Sequence, residues 1–231
     1  MVTYKKVKIK HKEIRYLDIG KGKEIFFLHG LAIPIKEYIP LIKSLSKHYR
    51  VIAPEIPLKS TLRKYYGFIK SFSKKINQNP QIIIAHSLGT VIAQSYTKSE
   101  PKIKREIDIN PPLNLHHSFA RNIKRMLIFR KKTKLGNFNF ILHGTKNLKS
   151  YQSLYNHVKK AKYNKGQFSC KTLLIQGEED KIFKADKDIE EKIKSNKNVS
   201  LIKIPKATHA LPISHPRKTS KIIKDFLKIR V

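Results

Sequence analysis

Six short runs, each ending in a turn and most followed by a stretch of helical periodicity, constrain this chain most. Glu24–Leu28, Arg50–Ala53, Gln81–Ala85, Glu106–Ile109, Lys171–Gln176 and Val199–Ile204 read as strands. Several are near-continuously apolar, as expected of strands buried on both faces. Between them, Lys36–His48 spaces Tyr38, Leu41, Ile42 and Leu45 as a helix does, and Thr61–Ile76 gathers Tyr65, Ile69 and Phe72 on one face. Thr90–Thr97, Lys187–Ser195 and Arg217–Ile229 fill further gaps as helices. Strands alternating with helices predict an α/β chain with a mostly parallel central sheet covered on both faces. Ahead of them, Val2–Ile9 and Glu13–Ile19 alternate loosely and read as a hairpin. The rhythm breaks between Asn114 and Gly166. The expected division is therefore a core of residues 1–112 and 167–231 with an inserted, mainly helical cap over 113–166.

A length of 231 residues fits one domain with an insertion, long enough to bury a real core. No run of 18 apolar residues occurs, and the first residues lack the apolar segment of a secretory signal, so a cytoplasmic protein is expected. Cys170 is the one cysteine, which excludes an intrachain disulfide framework and a cysteine-based metal cluster. Fifty Lys+Arg against 16 Asp+Glu give a net charge of +34. Such charge attracts anionic polymers through counterion release. The excess is mostly lysine spread along the whole chain, however, and no zinc-finger spacing, aromatic strand motif or basic heptad region accompanies it. That argues against specific nucleic-acid binding. One local feature stands apart: no acidic residue occurs between Asp108 and Glu178, while Arg121, Lys124, Arg125, Arg130, Lys131, Lys132 and Lys134 follow in quick succession. That segment carries a positive field.

The strongest chemical signal is Ala85-His86-Ser87-Leu88-Gly89, set between a buried strand and a helix. Small residues two before and two after a serine permit a sharp strand-to-helix turn that exposes its hydroxyl at the carboxyl end of the sheet. In isolation the same pentapeptide reads better as a serine capping a helix, and only its context favours the nucleophile. Three other segments fall at the same edge. His29-Gly30-Leu31 follows an earlier strand, Gln176-Gly177-Glu178-Glu179-Asp180 follows the penultimate one, and Ala207-Thr208-His209-Ala210 follows the last. The chain order Ser87, Asp180, His209 is nucleophile, acid, base. Asp180 competes with Glu178, Glu179 and Asp108 for the acid, and His209 with His215 for the base. His29 reads as a histidine orienting its own loop, and His86 as a structural residue packed at the turn.

These motifs resemble the α/β-hydrolase superfamily, in the cap-bearing esterase and lipase-like branch, through nearly the whole chain and least in the insertion. The resemblance implies a Ser87–His209–Asp180 triad and an oxyanion hole formed by the backbone N–H groups of Leu31 and Leu88. It implies a serine hydrolase acting on a carboxylic ester, esterase-like or similar to lysophospholipases and monoacylglycerol lipases, with no metal or organic cofactor. Serine at the nucleophile position argues against the aspartate-dependent dehalogenase and epoxide-hydrolase relatives. Two departures stand out: Ala85 occupies a position where the family usually has glycine, and Ala53–Ser60 lacks the acidic-Gly-Ser pattern often found there.

Specificity is expected to lie in the insertion. Phe119, Ile123, Met126, Leu127 and Phe129 interleave with Arg121, Lys124, Arg125, Arg130 and Lys131. Such a basic amphipathic helix suits a simple cover for the site, a lid lying on an anionic membrane surface, or a dock for an acidic carrier protein bearing an acyl chain. The last would make the protein a thioesterase or carrier-linked esterase. A non-catalytic protein that uses the same fold to bind a ligand or anionic polymer is the alternative of another class.

Overall fold

Every apolar run predicted as a strand pairs into one sheet. The computed structural model describes residues 3–31, 33–58, 61–113, 152–153, 155–156, 168–183 and 187–228. Nearly all of the expected cap over 113–166, including the basic amphipathic segment, lies outside the described residues. Strands β1 (Tyr4–Ile9), β2 (Lys12–Ile19), β3 (Glu24–Leu28), β4 (Arg50–Pro54), β5 (Ile82–His86), β6 (Arg105–Ile109), β7 (Lys171–Gly177) and β8 (Val199–Ile204) lie in the order β1-β2-β4-β3-β5-β6-β7-β8. β1 and β2 form the expected antiparallel hairpin and β2 also runs antiparallel to β4, while every pair from β4 to β8 is parallel.

Successive side chains of a strand point to opposite faces, and here both faces are buried. Phe26, Leu28, Ile83 and Ala85 join Tyr65, Phe68, Ile69 and Phe72 of α2 (Leu62–Lys75) and Ile92 of α3 (Leu88–Thr97) on one side. Ile25, Phe27, Ile82 and Ile84 join Leu41, Ile42 and Leu45 of α1 (Ile39–Leu45) on the other. α4 (Lys187–Lys194) precedes β8, and α5 (Leu211–Ser214) and α6 (Pro216–Lys228) close the chain, with Ile223 of α6 buried beside α1. Among the described residues no helix is long and apolar enough to cross a membrane.

Local chemistry explains where elements start and stop. The Thr61 hydroxyl accepts from the Lys64 N–H at 3.3 Å and caps α2. The helix expected over Lys36–His48 is instead a 3₁₀ turn, Ile35–Tyr38, followed by α1, whose second residue is Pro40. Proline has no N–H to lose at a helix's first turn, so it favours restarting the helix there. β4 runs one residue past the expected Ala53, to Pro54, which a strand tolerates as its last residue and which pairs with Tyr16. At the strand ends, Arg50 binds Asp18 at 2.8 and 2.9 Å and Glu24 at 2.9 Å, tying the hairpin to β3 and β4. With Lys5 also 2.7 Å away, these cations hold the Asp18 carboxyl down at about 2.

Candidate active site

β5 delivers Ser87 at the carboxyl edge of the sheet, where the chain reverses into α3. Ser87 has φ +52° and ψ −122°, a conformation disfavoured for any residue with a side chain. It is stabilised in place by the Ser87 N–H, which donates to the Ile109 carbonyl of β6 at 2.9 Å, and by the Thr90 N–H, which donates to the Ser87 carbonyl at 3.0 Å. The turn drives the start of α3 against the end of β3. A Cβ at Gly89 would stand 2.5 Å from the Leu28 carbonyl oxygen and 2.8 Å from that of His29, so only glycine fits. Ala85, the departure from the usual glycine, sits fully buried in β5 with its methyl in the core beside α3.

Two further loops converge on the serine. The His209 imidazole lies with Nδ1 2.7 Å from Asp180 Oδ2 and Nε2 2.9 Å from Ser87 Oγ. All three side chains are buried, Ser87 at 8%, His209 at 5% and Asp180 at 1% exposure. A carboxylate only accepts, so Nδ1 carries a proton, and in the neutral ring Nε2 is the acceptor facing the Ser87 hydroxyl. Asp180 is itself fixed by the N–H groups of Ile182 and Phe183 on Oδ1, at 2.8 and 3.1 Å, and by the Gln176 amide on Oδ2 at 3.2 Å. The edge of the Phe183 ring packs on His209 with centroids 5.4 Å apart.

The rival candidates lie elsewhere. Glu178 and Glu179 are exposed, His215 bonds Ser214 Oγ at 2.8 Å, and Asp108 is buried within β6 next to Glu106. His29 does orient its own loop: one ring nitrogen lies 2.8 Å from the Gly30 carbonyl, and Nε2 accepts from the Ile56 N–H at 2.8 Å. Burial holds its pKa below the ordinary histidine value, which suits this neutral, fully engaged ring. Leu31 and Leu88, whose N–H groups are the candidate oxyanion donors, both line a cavity of about 370 Å³. Its other walls are mainly apolar, with Ile33, Ile35, Ile56, Leu58, Tyr65 and Ile92, and Glu55 at one side.

Three residues that shape the site had no assigned role in the sequence reading. Asn110 follows β6 in a left-handed conformation, φ +46°, which asparagine tolerates better than most residues. Its amide donates to the carbonyls of Thr208 and His209, both at 3.0 Å, and its Oδ1 accepts from the Gly177 N–H at 2.8 Å. It thereby ties β7, which leads to Asp180, to the loop that carries His209. Gln176 holds Asp180, and Tyr38, expected only as an apolar helix position, buries its hydroxyl against His86 at 2.7 Å.

No family model matches the chain. A stretch of 110 residues is 30% identical to the magnesium-chelatase 30 kDa subunit of Rhodobacter capsulatus, covering 42% of this chain and 38% of that protein. A stretch of 108 residues is 20% identical to (E)-2-((N-methylformamido)methylene)succinate hydrolase of Acinetobacter baylyi, covering 43% of this chain and 41% of that one. The matches thus span about two fifths of these curated relatives' length. The structure of an alpha/beta hydrolase enzyme, MGS-MChE2, from a lagoon-sediment metagenome superposes with a TM-score of 0.74 at 21% identity, covering 96% of this chain and 97% of that one. With the strand order and the turn at Ser87, this decides the architecture. The chain has the α/β-hydrolase fold. In this fold a ligand meets the sheet at the carboxyl ends of its strands, where Ser87, Asp180 and His209 converge.

Proposed function

We propose that the protein is a serine hydrolase that cleaves a carboxylic ester through an acyl-enzyme intermediate. The observation that carries this reading is the unbroken line Asp180–His209–Ser87, with separations of 2.7 and 2.9 Å. A serine hydroxyl is a weak nucleophile until a base takes its proton. His209 Nε2 takes it as Ser87 Oγ bonds to the acyl carbon, and Asp180 stabilises the imidazolium that forms. The N–H groups of Leu31 and Leu88 receive the oxyanion, with each such donor worth about 3 kcal/mol. The tetrahedral intermediate collapses, the C–O bond to the leaving alcohol breaks, and His209 returns the proton to that oxygen. Water then attacks the acyl-Ser87 ester with His209 again as base, releasing the acid and restoring the serine. The apolar cavity beside Leu31 and Leu88 suits a medium acyl chain.

The test is labelling with a fluorophosphonate, with mass mapping of the adduct, in the wild-type protein and in Ser87→Ala. An adduct on Ser87 that is absent from the variant is the expected result, followed by turnover of a series of esters graded by acyl length. A folded wild-type protein that takes no label overturns the reading and leaves a ligand- or polymer-binding role.

A second reading rests on charge. Between Glu55 and Glu100 there is no acidic residue. α2 therefore presents Arg63, Lys64, Lys70, Lys74 and Lys75 to solvent from a helix whose Tyr65 lines the cavity. Such a face suits a substrate presented by an anionic partner, either an acyl thioester on an acidic carrier protein or an ester at an anionic membrane surface. In that case activity on a carrier- or vesicle-presented acyl group falls steeply as salt rises while turnover of a small soluble ester does not. An equal salt response of the two substrates removes this reading.

A further inference from the structure

A buried chain of hydrogen bonds joins the loop that carries Leu31 to the loop that carries His209. The Gly30 N–H lies 3.1 Å from Tyr38 Oη, Tyr38 Oη lies 2.7 Å from His86 Nδ1, and His86 Nε2 lies 2.9 Å from the His209 carbonyl oxygen. The protons on this chain have one consistent assignment. A backbone N–H can only donate and a backbone carbonyl can only accept. His86 Nε2 therefore carries the proton given to His209, which leaves Nδ1 bare and obliges the Tyr38 hydroxyl to donate to it. Tyr38 Oη then has its lone pairs free for Gly30. The imidazole must be neutral for this pattern. Burial and the neighbouring His209 ring, 5.0 Å away between centroids, hold His86 well below the ordinary histidine pKa.

The chain is also sterically enclosed. A Cβ at Gly30 would stand 3.0 Å from His86 Nδ1 and 3.3 Å from both Ser87 Cβ and Tyr38 Oη. Tyr38 and His86 are both fully buried, so water has little opportunity to replace either bond. We infer that His86, held by Tyr38, is a positioning residue. It fixes the backbone of His209 relative to the oxyanion-side loop, so that base and oxyanion donors keep their register around Ser87. This role rests on the serine-hydrolase reading and extends it, because His86 itself exchanges no proton with substrate. The His209 carbonyl has a second tether in the Asn110 amide at 3.0 Å, so loss of His86 loosens the base without releasing it.

The experiment compares wild type with His86→Leu, His86→Gln and Tyr38→Phe. Its readouts are the rate of Ser87 labelling by a fluorophosphonate, kcat and KM on a p-nitrophenyl ester, thermal melting, and the tautomer of His86 by ¹⁵N NMR of the imidazole. The expected wild-type signal is a neutral Nε2–H imidazole. His86→Leu is expected to lower kcat and the labelling rate about 10- to 100-fold, as sub-ångström displacement of a catalytic group does, with KM little changed. His86→Gln recovers most of that loss, since a carboxamide offers a donor toward His209 and an acceptor toward Tyr38. Tyr38→Phe keeps the ring and its packing, and is expected to follow His86→Leu. A reactive wild type with His86→Leu folded and within about twofold of it in kcat overturns the positioning role alone; about 1.4 kcal/mol would be needed for a tenfold effect. So does His86→Gln no better than His86→Leu, or His86 found as the Nδ1–H or protonated form. A wild type that neither labels nor turns over esters, yet shows the Nε2–H tautomer, overturns the hydrolase reading and this role with it, while the hydrogen-bond chain itself stands.

Discussion

Two glycines in helices, Gly67 and Gly89, give one substitution opposite signs. Replacing glycine by alanine within a helix gains about 1 kcal/mol from reduced backbone freedom when the methyl meets nothing. Gly67 lies on the exposed face of α2, and a Cβ there has no atom within 4 Å. Gly67→Ala is therefore expected to stabilise by about 0.5 to 1 kcal/mol. At Gly89 the same methyl would stand 2.5 Å from the Leu28 carbonyl oxygen, 2.8 Å from that of His29 and 3.0 Å from the Leu28 carbonyl carbon. These are backbone atoms at the end of a central strand, so neither side can yield by turning a side chain. Overpacking of this kind costs about 1 to 3 kcal/mol, which overrides the helix gain. The helix gain is common to both sites, so the two variants should differ by the clash cost, about 1 to 3 kcal/mol, or about 2 to 12 °C in Tm for a chain of this size. The displaced atoms belong to the segment leading into Leu31, so Gly89→Ala should also slow Ser87 labelling beyond what its fraction unfolded explains. Thermal melting and labelling at a temperature well below both transitions measure the two effects separately. Gly89→Ala melting as high as Gly67→Ala would refute the claim that α3 is pressed against β3 at this residue.

Two carboxyls with opposite shifts predict opposite pH responses. Glu106 is 1% exposed, beside Asp108 on β6, and burial raises its pKa from 4.5 to about 8. The native state then binds more protons than the unfolded one between these values, so its contribution to stability is complete below about pH 4.5 and is lost as pH rises through about 8. Glu106→Gln should flatten this decline, which approaches about 1.4 kcal/mol per pH unit in wild type; denaturant midpoints across the interval measure it, and a wild-type midpoint that rises there contradicts the assignment. Asp18 is shifted the other way, to about 2, chiefly by its hydrogen bonds from Arg50. Its contribution is present above the unfolded value of 3.8 and disappears as pH falls through about 2, so Asp18→Asn should flatten the acid limb of the Tm profile in that window. An unchanged acid limb in the variant would show that the Arg50 network does not act through this carboxylate.

Strands were legible because central parallel strands must be apolar on both sides. β3 occupies its predicted Glu24–Leu28 and β7 differs by one residue at one end, as the rule implies, whereas β6, which carries Glu106 and Asp108, and the half-exposed edge strand β8 lie within one residue of their predicted spans without obeying it. The region around Pro40 was less legible for a physical reason. Tyr38, Leu41, Ile42 and Leu45 are all fully buried, so the apolar spacing carries across the junction between the 3₁₀ turn and α1. Periodicity reports which face is buried, and does not distinguish one hydrogen-bond pitch from another. The start of α3 was placed late, at Thr90 and not Leu88, because the strained Ser87 conformation lets the helix begin at once after the strand. α5 was missed altogether: Leu211–Ser214 is a single turn, too short to display a period.

The same distinction separates the parts of the site that could be read from those that could not. The roles proposed for Ser87, Asp180 and His209 follow from what each side chain can do, so a serine, a carboxylate and an imidazole in the loops after three strands suffice to suggest them. Tyr38, Asn110 and Gln176 are constrained only by what they must reach. Asn110 spans β7 and the His209 loop, 67 and 99 residues away in sequence, through bonds whose partners are all backbone groups, and backbone groups leave no trace in residue identity. Its one local sign is a polar residue between the end of a strand and Pro111, a position that many turns share. Tyr38 is less legible still, because its ring belongs to the core and only its hydroxyl to the network. Residue type thus announces the groups suited to chemistry, whereas the groups that hold them in register are identified by the closure of the hydrogen-bond chain in three dimensions.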